Sequence, residues 1–323
     1  MNISEDPDYF FISEAIIGYS CLLMIIVGLF GNCIMICITT KKTLRLFSKV
    51  LLISGTLWDI VVLLFPGFRY FQLMTQNIDV QTKSLFLCKI HKFISYLATD
   101  MSPWIFLMLS FDRYLLLKYP LSVKIKFFRL KEIVISMTVS LVFGVVKNFH
   151  QLFSILDAES FQCFMLNSSL TVIMIYVDIF FNLVIPSVLT SSFTFLSISC
   201  LRKQLRKISP FQEPEIRRNP SAQLLRMILT ITVFHFLVSI PLFSMLILAN
   251  YNLIGNINRI NFIIFFDLSC VFYISNNSLK FYLYLCISSS IRSQFVSFIL
   301  SVIKQFENLS LVMKVFIKKR FKK

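Results

Sequence analysis

The three histidines, His91, His150 and His235, lie far apart, and no His-Glu-x-x-His and no phosphate-cradling glycine loop accompanies them. No two carboxylates sit within one helix turn of each other inside an apolar run. Metal-assisted or paired acid–base catalysis therefore has no residues to carry it, and neither an enzyme nor a cofactor is expected. The charges that ask for an explanation are those placed in apolar surroundings: Asp59, Arg69, Asp100, Asp178 and Asp267, with Tyr70 and Tyr176 nearby. An ionised side chain in hydrocarbon is expensive, turns to the interior, seeks a partner and by default marks function. Asp178 and Asp267 are placed to receive an arginine or amine of a ligand; the plainer alternative is that Arg69 pairs with one of them.

Such charges need long apolar elements around them. The 323 residues include 32 Lys and Arg against 16 Asp and Glu, and 57% are hydrophobic, with a mean hydropathy of +0.77. A soluble domain is about 45–50% apolar and about 25% charged, whereas only 15% of this chain is charged. Apolar runs of bilayer length recur at about Ala15 to Thr40, Val50 to Met74, Leu85 to Leu117, Ile133 to Phe153, Leu170 to Leu201, Ala222 to Asn250 and Ile260 to Ile287. The fold class expected is an all-α membrane protein, a seven-transmembrane helix bundle. Its domains read as 1–14, an extracellular N-terminus; 15–287, the seven-span unit; and 288–323, an amphipathic helix with a basic cytoplasmic tail. The opening Met-Asn-Ile-Ser-Glu-Asp is acidic and does not look like a cleaved signal, so the first span is expected to insert as it stands.

The net charge of +16 does not point to nucleic acid, because the basic residues fall in short clusters between the apolar runs. Lys41, Lys42, Arg45 and Lys49 follow the first run, Lys118 to Lys131 the third, and Arg202 to Arg218 the fifth. The positive-inside rule makes these loops cytoplasmic and puts the N-terminus outside. The sequons at Asn2 and Asn167 then lie on the outer face as candidate glycosylation sites. Six of the eight cysteines fall in or at the ends of spans. Cys88 and Cys163 both face the oxidising side, where they pair or remain two loop thiols.

Asp112-Arg113-Tyr114 ends the third run 25 residues after Cys88. Gly31-Asn32, Leu57-Trp58-Asp59, Pro120, Pro186 and Pro241 follow one another in the corresponding runs. Together these residues resemble the rhodopsin-like (family 1) G-protein-coupled receptors, over about Ala15 to Phe298. The resemblance implies an extracellular ligand, a heterotrimeric G protein as intracellular partner, and a plasma-membrane location. It gives Asp112, Arg113, Tyr114 and Tyr284 a role in coupling, with Arg113 facing the cavity that admits the G protein; the alternative for Arg113 is a snorkelling anchor at the interface. Amine receptors of the family carry an aspartate where this chain has Ser95, so Ser95, Arg69, Asp178 and Asp267 are candidates for contact with a peptide rather than an amine.

Departures from the family are concentrated in the last two spans. Ser239 stands at the usual tryptophan before Pro241, and His235 at the usual phenylalanine. The fourth run lacks its tryptophan, and Thr194 replaces a tyrosine in the fifth. In the seventh, Lys280-Phe281-x-x-Tyr284 replaces Asn-Pro-x-x-Tyr, a variant that resembles invertebrate neuropeptide receptors, including those for FMRFamide-like peptides. No acidic residue opens the sixth run to hold Arg113. The family commonly binds a sodium ion between the aspartate of the second span, a serine of the third and asparagines of the seventh. Asn32, Asp59, Ser102 and Asn276 match that polar centre, with Lys280 in place of a further asparagine. Either the ammonium pairs with Asp59 in place of sodium, or it snorkels toward the cytoplasm with Tyr284 covering its stem.

After the seventh run, Ile291, Phe295, Phe298, Ile299, Val302 and Phe306 recur at helical spacing, as in a helix lying on the inner leaflet. The closing Lys318-Lys319-Arg320-Phe321-Lys322-Lys323 should favour anionic membrane lipids. A transporter or channel lined by Asp59, Asp100 and Asp178 is the competing class, opposed by the absence of internal repeats. A receptor-like fold that no longer signals is the third.

Overall fold

The computed structural model describes residues 7–41, 46–119, 129–156, 163–165, 168–208, 220–250 and 259–320. Helix α1 (Pro7–Lys41) begins well before Ala15 and runs through residues assigned to the outer tail; a proline is well suited to a first helical position. The second span is α2 (Leu46–Val62), a π turn over Leu63–Gly67 and α3 (Phe68–Gln76). Pro66 lies inside that turn. It cannot donate a backbone hydrogen bond, and one wider turn accommodates the gap without ending the helix. Asn77, at φ 53°, stops α3 in the left-handed conformation.

Helix α4 (Leu85–Lys118) is capped by Ser84, whose Oγ accepts from the Leu87 amide at 3.1 Å. Helix α5 (Arg129–Asn148) passes into a 3-10 turn over Phe149–Phe153, shortening the regular part of the fourth run. The fifth span is again interrupted: α6 (Ser168–Asp178), a π turn over Ile179–Val184, and α7 (Ile185–Ile208). Helices α8 (Pro220–Asn250), α9 (Arg259–Ile287) and α10 (Ser289–Arg320) complete the chain. Among the described residues, one short antiparallel hairpin departs from an all-helical reading, β1 (Ser154–Leu156) with β2 (Cys163–Met165), Leu156 opposite Cys163.

The helices close into a bundle because α1 packs on both α3 and α9, and α9 on α8; α4 takes the middle, touching α2, α5, α7 and α8. Gly28 permits the contact of α1 with α9. A Cβ there would meet Leu63 Cδ1 at 2.7 Å and Ser278 Cα at 2.8 Å, so α1 approaches α9 nearly backbone to backbone. One apolar cluster, including Ile38, Leu51, Ile105, Leu109, Ile228 and Phe281, fills one half of the bundle, and Ile17, Cys21, Ile25, Tyr70 and Ile274 form a smaller one in the other. Polarity is inverted relative to a soluble protein. Phe30, Val139, Phe195 and Phe272 are exposed while Asn32, Asp59, Ser102, Asn276 and Lys280 are buried.

Among the described residues, five segments are long and apolar enough on their own to cross a membrane: Phe11–Thr40, Ser48–Gln76, Val172–Gln204, Ala222–Ala249 and Ile260–Ile287. The third and fourth of the seven expected runs are not among them. Helix α4 spreads Lys89, Lys92, Asp100, Asp112 and Arg113 along its length, and α5 holds Arg129, Lys131, Glu132 and Lys147. The structure shows why two such helices can still belong to the bundle: Lys147 of α5 meets Asp100 of α4 at 2.7 Å, so each neutralises charge carried by the other.

Helix α10 has two apolar faces. Ile291 is buried, and Phe295 stacks edge-on against Phe281 at 5.6 Å between ring centroids, while Val296, Ile299, Leu300 and Ile303 are exposed.

Candidate functional site

At the centre of the bundle, α9 directs Lys280 between the second and third spans. Its Nζ lies 2.5 Å from Asp59 Oδ1 and donates to Ser102 Oγ at 2.6 Å, and the Phe106 ring faces the ammonium at 5.2 Å. Of the five residues expected at this centre, the structure therefore brings Asp59, Ser102 and Lys280 into contact. Asn32 lines the same small cavity as Asp59, Lys280 and Tyr284, but its Nδ2 donates to the Asn277 carbonyl at 3.1 Å. Asn276 borders a second cavity with Ser102, Phe106, Thr232, His235 and Lys280, and its Oδ1 has no hydrogen-bond partner among the described residues.

Toward one end of the bundle, α4 presents Asp112 and Arg113 to the start of α2. The Ser48 hydroxyl donates to Asp112 Oδ2 at 3.2 Å and accepts from Arg113 Nη2, and Arg113 Nε lies 3.7 Å from Asp112 Oδ2. Arg113 is only 9% exposed. Ser48 is the partner that sequence reasoning missed, since a serine near a helix start carries no signal of its own. Tyr114 packs against Phe193 with Lys118 over its ring at 5.2 Å, while Tyr284 is buried beside the central cavity.

The start of the sixth span, where an acidic lock is missing, is held by another group. Gln223 Nε2 donates to Ser289 Oγ at 2.9 Å, and its Oε1 accepts from Ser288 Oγ at 3.0 Å and from the Ser290 amide at 3.2 Å. One amide side chain thus caps the first turn of α10 and fastens α8 to it.

At the opposite end, Cys88 of α4 and Cys163 of β2 are joined, their Cα atoms 5.7 Å apart, which ties the hairpin to the third span. Arg69 does not pair with Asp178 or Asp267 as one expectation had it. Its Nε donates to Asp79 Oδ1 at 2.7 Å, because the chain turns at Asn77 and brings Asp79 back to Arg69 near the start of α3. Asp79 also accepts from the Gln81 amide at 2.9 Å. Burial would raise its pKa, but the Arg69 guanidinium outweighs that and holds the carboxyl below its usual value.

Asp178 is paired within the bundle. Lys147 Nζ reaches Asp178 Oδ1 at 2.6 Å and the Asp100 oxygens at 2.7 and 2.8 Å, and Asn148 Nδ2 adds a bond to Asp100 Oδ2 at 2.6 Å. Two carboxylates share one ammonium. Lys147 interrupts an apolar run as Asp100 does, a signal that could have found it. Ser95 belongs to a buried polar chain in which His91 Nδ1 contacts Ser95 Oγ at 3.4 Å and Gln81 Nε2 at 3.0 Å. Asp267, 4% exposed, accepts from the Tyr70 hydroxyl at 2.6 Å, and its Oδ2 has no hydrogen-bond partner among the described residues. The four candidate ligand contacts thus share one half of the bundle without forming a single cluster. The sequons at Asn2 and Asn167 lie outside the described residues.

Compared with individual curated proteins, the chain finds no significant match. Residues 31–291 match the profile of the family described as 7 transmembrane receptor (rhodopsin family). That span covers most of the chain and contains the disulfide, the central Asp59–Lys280 pair and the Asp112–Arg113 cluster. The chain is therefore a multi-pass membrane protein that belongs to the rhodopsin family of seven-transmembrane receptors, which are receptors and not enzymes.

Proposed function

We propose that the chain is a plasma-membrane receptor that binds an extracellular peptide with a cationic residue and couples to a heterotrimeric G protein. The N-terminus and the disulfide-tied hairpin face outward, where Asn2 and Asn167 carry glycans. The Arg113 end faces the cytoplasm, and the exposed stripe of α10 rests on inner-leaflet lipid. The observation that carries the reading is the Asp112–Arg113–Ser48 cluster. A guanidinium held by neutral and anionic oxygens at the mouth of the bundle is poised to change partners when another protein enters there.

A cationic peptide is supported by the carboxylates of the outer half, where Asp100 and Asp178 share the one ammonium of Lys147 and Asp267 Oδ2 has no hydrogen-bond partner among the described residues. Ser95, bonded to His91, offers no carboxylate to an amine.

The test is to screen a peptide library against the full chain in cells with a second-messenger readout, beside Arg113→Ala. The expected result is a peptide that elicits a response from the unmutated chain, and an Arg113→Ala variant that reaches the surface and binds that peptide without responding. An undiminished response in Arg113→Ala would remove the coupling role. Binding with no response in either protein would favour a receptor fold that no longer signals.

A further inference from the structure

The central polar cluster does not fit the metal ion that the family commonly holds at this place. A sodium ion shared by Asp59 and Ser102 would have to lie within coordination distance of both oxygens. The Lys280 ammonium already lies 2.5 Å from Asp59 Oδ1 and 2.6 Å from Ser102 Oγ. It brings the same single positive charge that the ion would bring. Asp59 and Ser102 are each 2% exposed and Lys280 is 3% exposed, so water does little to screen a second cation from the first. The Phe106 ring closes another side of the ammonium at 5.2 Å, and Lys280 and Phe106 are the two side chains common to the cavities on either side of it.

We propose that Lys280 is the permanent counter-cation of Asp59, that it excludes sodium from the bundle, and that the conformational balance of this receptor is therefore indifferent to sodium. A free ion comes and goes with its concentration, and it can bias an equilibrium only by binding one state better than another. A cation bonded covalently to α9 has a fixed stoichiometry and ties the second, third and seventh spans together at all salt concentrations. Asn276 fits the same account. Its Oδ1, at the neighbouring cavity, has no hydrogen-bond partner among the described residues, and it becomes an available oxygen ligand once the ammonium is removed.

The experiment measures the thermal midpoint of the full chain in lipid nanodiscs, without agonist or G protein, so that its outcome is independent of the signalling reading. Sodium chloride is compared with N-methylglucamine chloride at the same ionic strength of about 0.15 M. The unmutated protein should melt at the same temperature in both salts. Lys280→Asn, which restores an oxygen ligand, should melt several degrees higher in sodium. A sodium-specific stabilisation of the unmutated protein would overturn the proposal, as would a Lys280→Asn variant that folds and shows none.

A second comparison covers a Lys280→Asn variant that does not fold. Asp59→Asn and Lys280→Met should each lower the midpoint, and the double variant should melt above at least one of the singles, because removing both charges strands neither. A double variant that loses the sum of the two single effects would show that the groups do not depend on each other and would end the proposal.

Discussion

At the scale of single residues, the side chain with most resting on it is Lys147. It serves Asp100 and Asp178 at once, and no hydrogen bond to Asp178 other than this ion pair is seen among the described residues. Replacing the ammonium by an apolar group of similar length leaves two carboxylates stranded, and breaking a buried pair in this way costs about 3–5 kcal/mol. Lys147→Met should therefore lower folded yield and thermal midpoint sharply. Asp178→Asn leaves Lys147 and Asp100 matched one to one and should cost under about 1 kcal/mol. Equal losses in the two variants would show that Asp178 carries as much of the burden as the lysine. The cost of these charges was legible in the sequence, since each interrupts an apolar run; their partners were not. A charge in a span announces that it needs a counter-charge, but which one it meets depends on how α4, α5 and the fifth span are rotated about their axes. Lys280 is the exception, because its place relative to Asp59 followed from aligning the spans with a known family.

At the scale of elements, the spans were legible to within a few residues, apart from the early start of α1 at Pro7, and their interruptions were not. Apolar length fixes where a helix crosses, and it is blind to one inserted residue, so the π turns at Leu63–Gly67 and Ile179–Val184 left no trace apart from Pro66. The hairpin was hidden for a similar reason, since three-residue strands are too short for alternation to register. The clasp between α8 and α10 was unreadable because it joins residues 65 to 67 positions apart through a neutral side chain. Gln223 nevertheless satisfies the Ser290 amide in the first turn of α10, beside the Ile291 amide that donates to Ser288 Oγ at 3.3 Å. Losing a helix cap costs roughly 1 kcal/mol, and 1.4 kcal/mol is a factor of ten in an equilibrium constant. Gln223→Ala should thus speed hydrogen exchange of the Ser290 amide by roughly fivefold while amides in the middle of α9 keep their protection. Unchanged exchange in α10 would mean that its docking through Ile291 and Phe295 suffices without the clasp.

At the scale of the whole molecule, one covalent tie joins parts distant in sequence, the Cys88–Cys163 disulfide, which closes a separation of 75 residues. For a chain that unfolds to a random coil, closing such a loop is worth about 4 kcal/mol. This chain has no such reference state. Its apolar helices must keep their backbone hydrogen bonds in the bilayer whether or not they are packed together, so the unfolded protein is a set of inserted helices with short connections. Much of the chain between the two cysteines is helix α4 and helix α5, which retain their shape in that state. The bond then restricts only the hairpin and the mutual drift of the helices, and its entropic effect shrinks accordingly. The double variant Cys88→Ala with Cys163→Ala should insert and fold, lose well under the soluble-loop value of about 4 kcal/mol, and show its change at the hairpin. Hydrogen exchange should rise in Ser154–Leu156 and Cys163–Met165 while the amides around Asp59 and Lys280 stay protected. A loss of protection that reached the central pair would mean that the bundle depends on this tie as a soluble domain would, and the picture of pre-inserted helices would have to be given up for this protein.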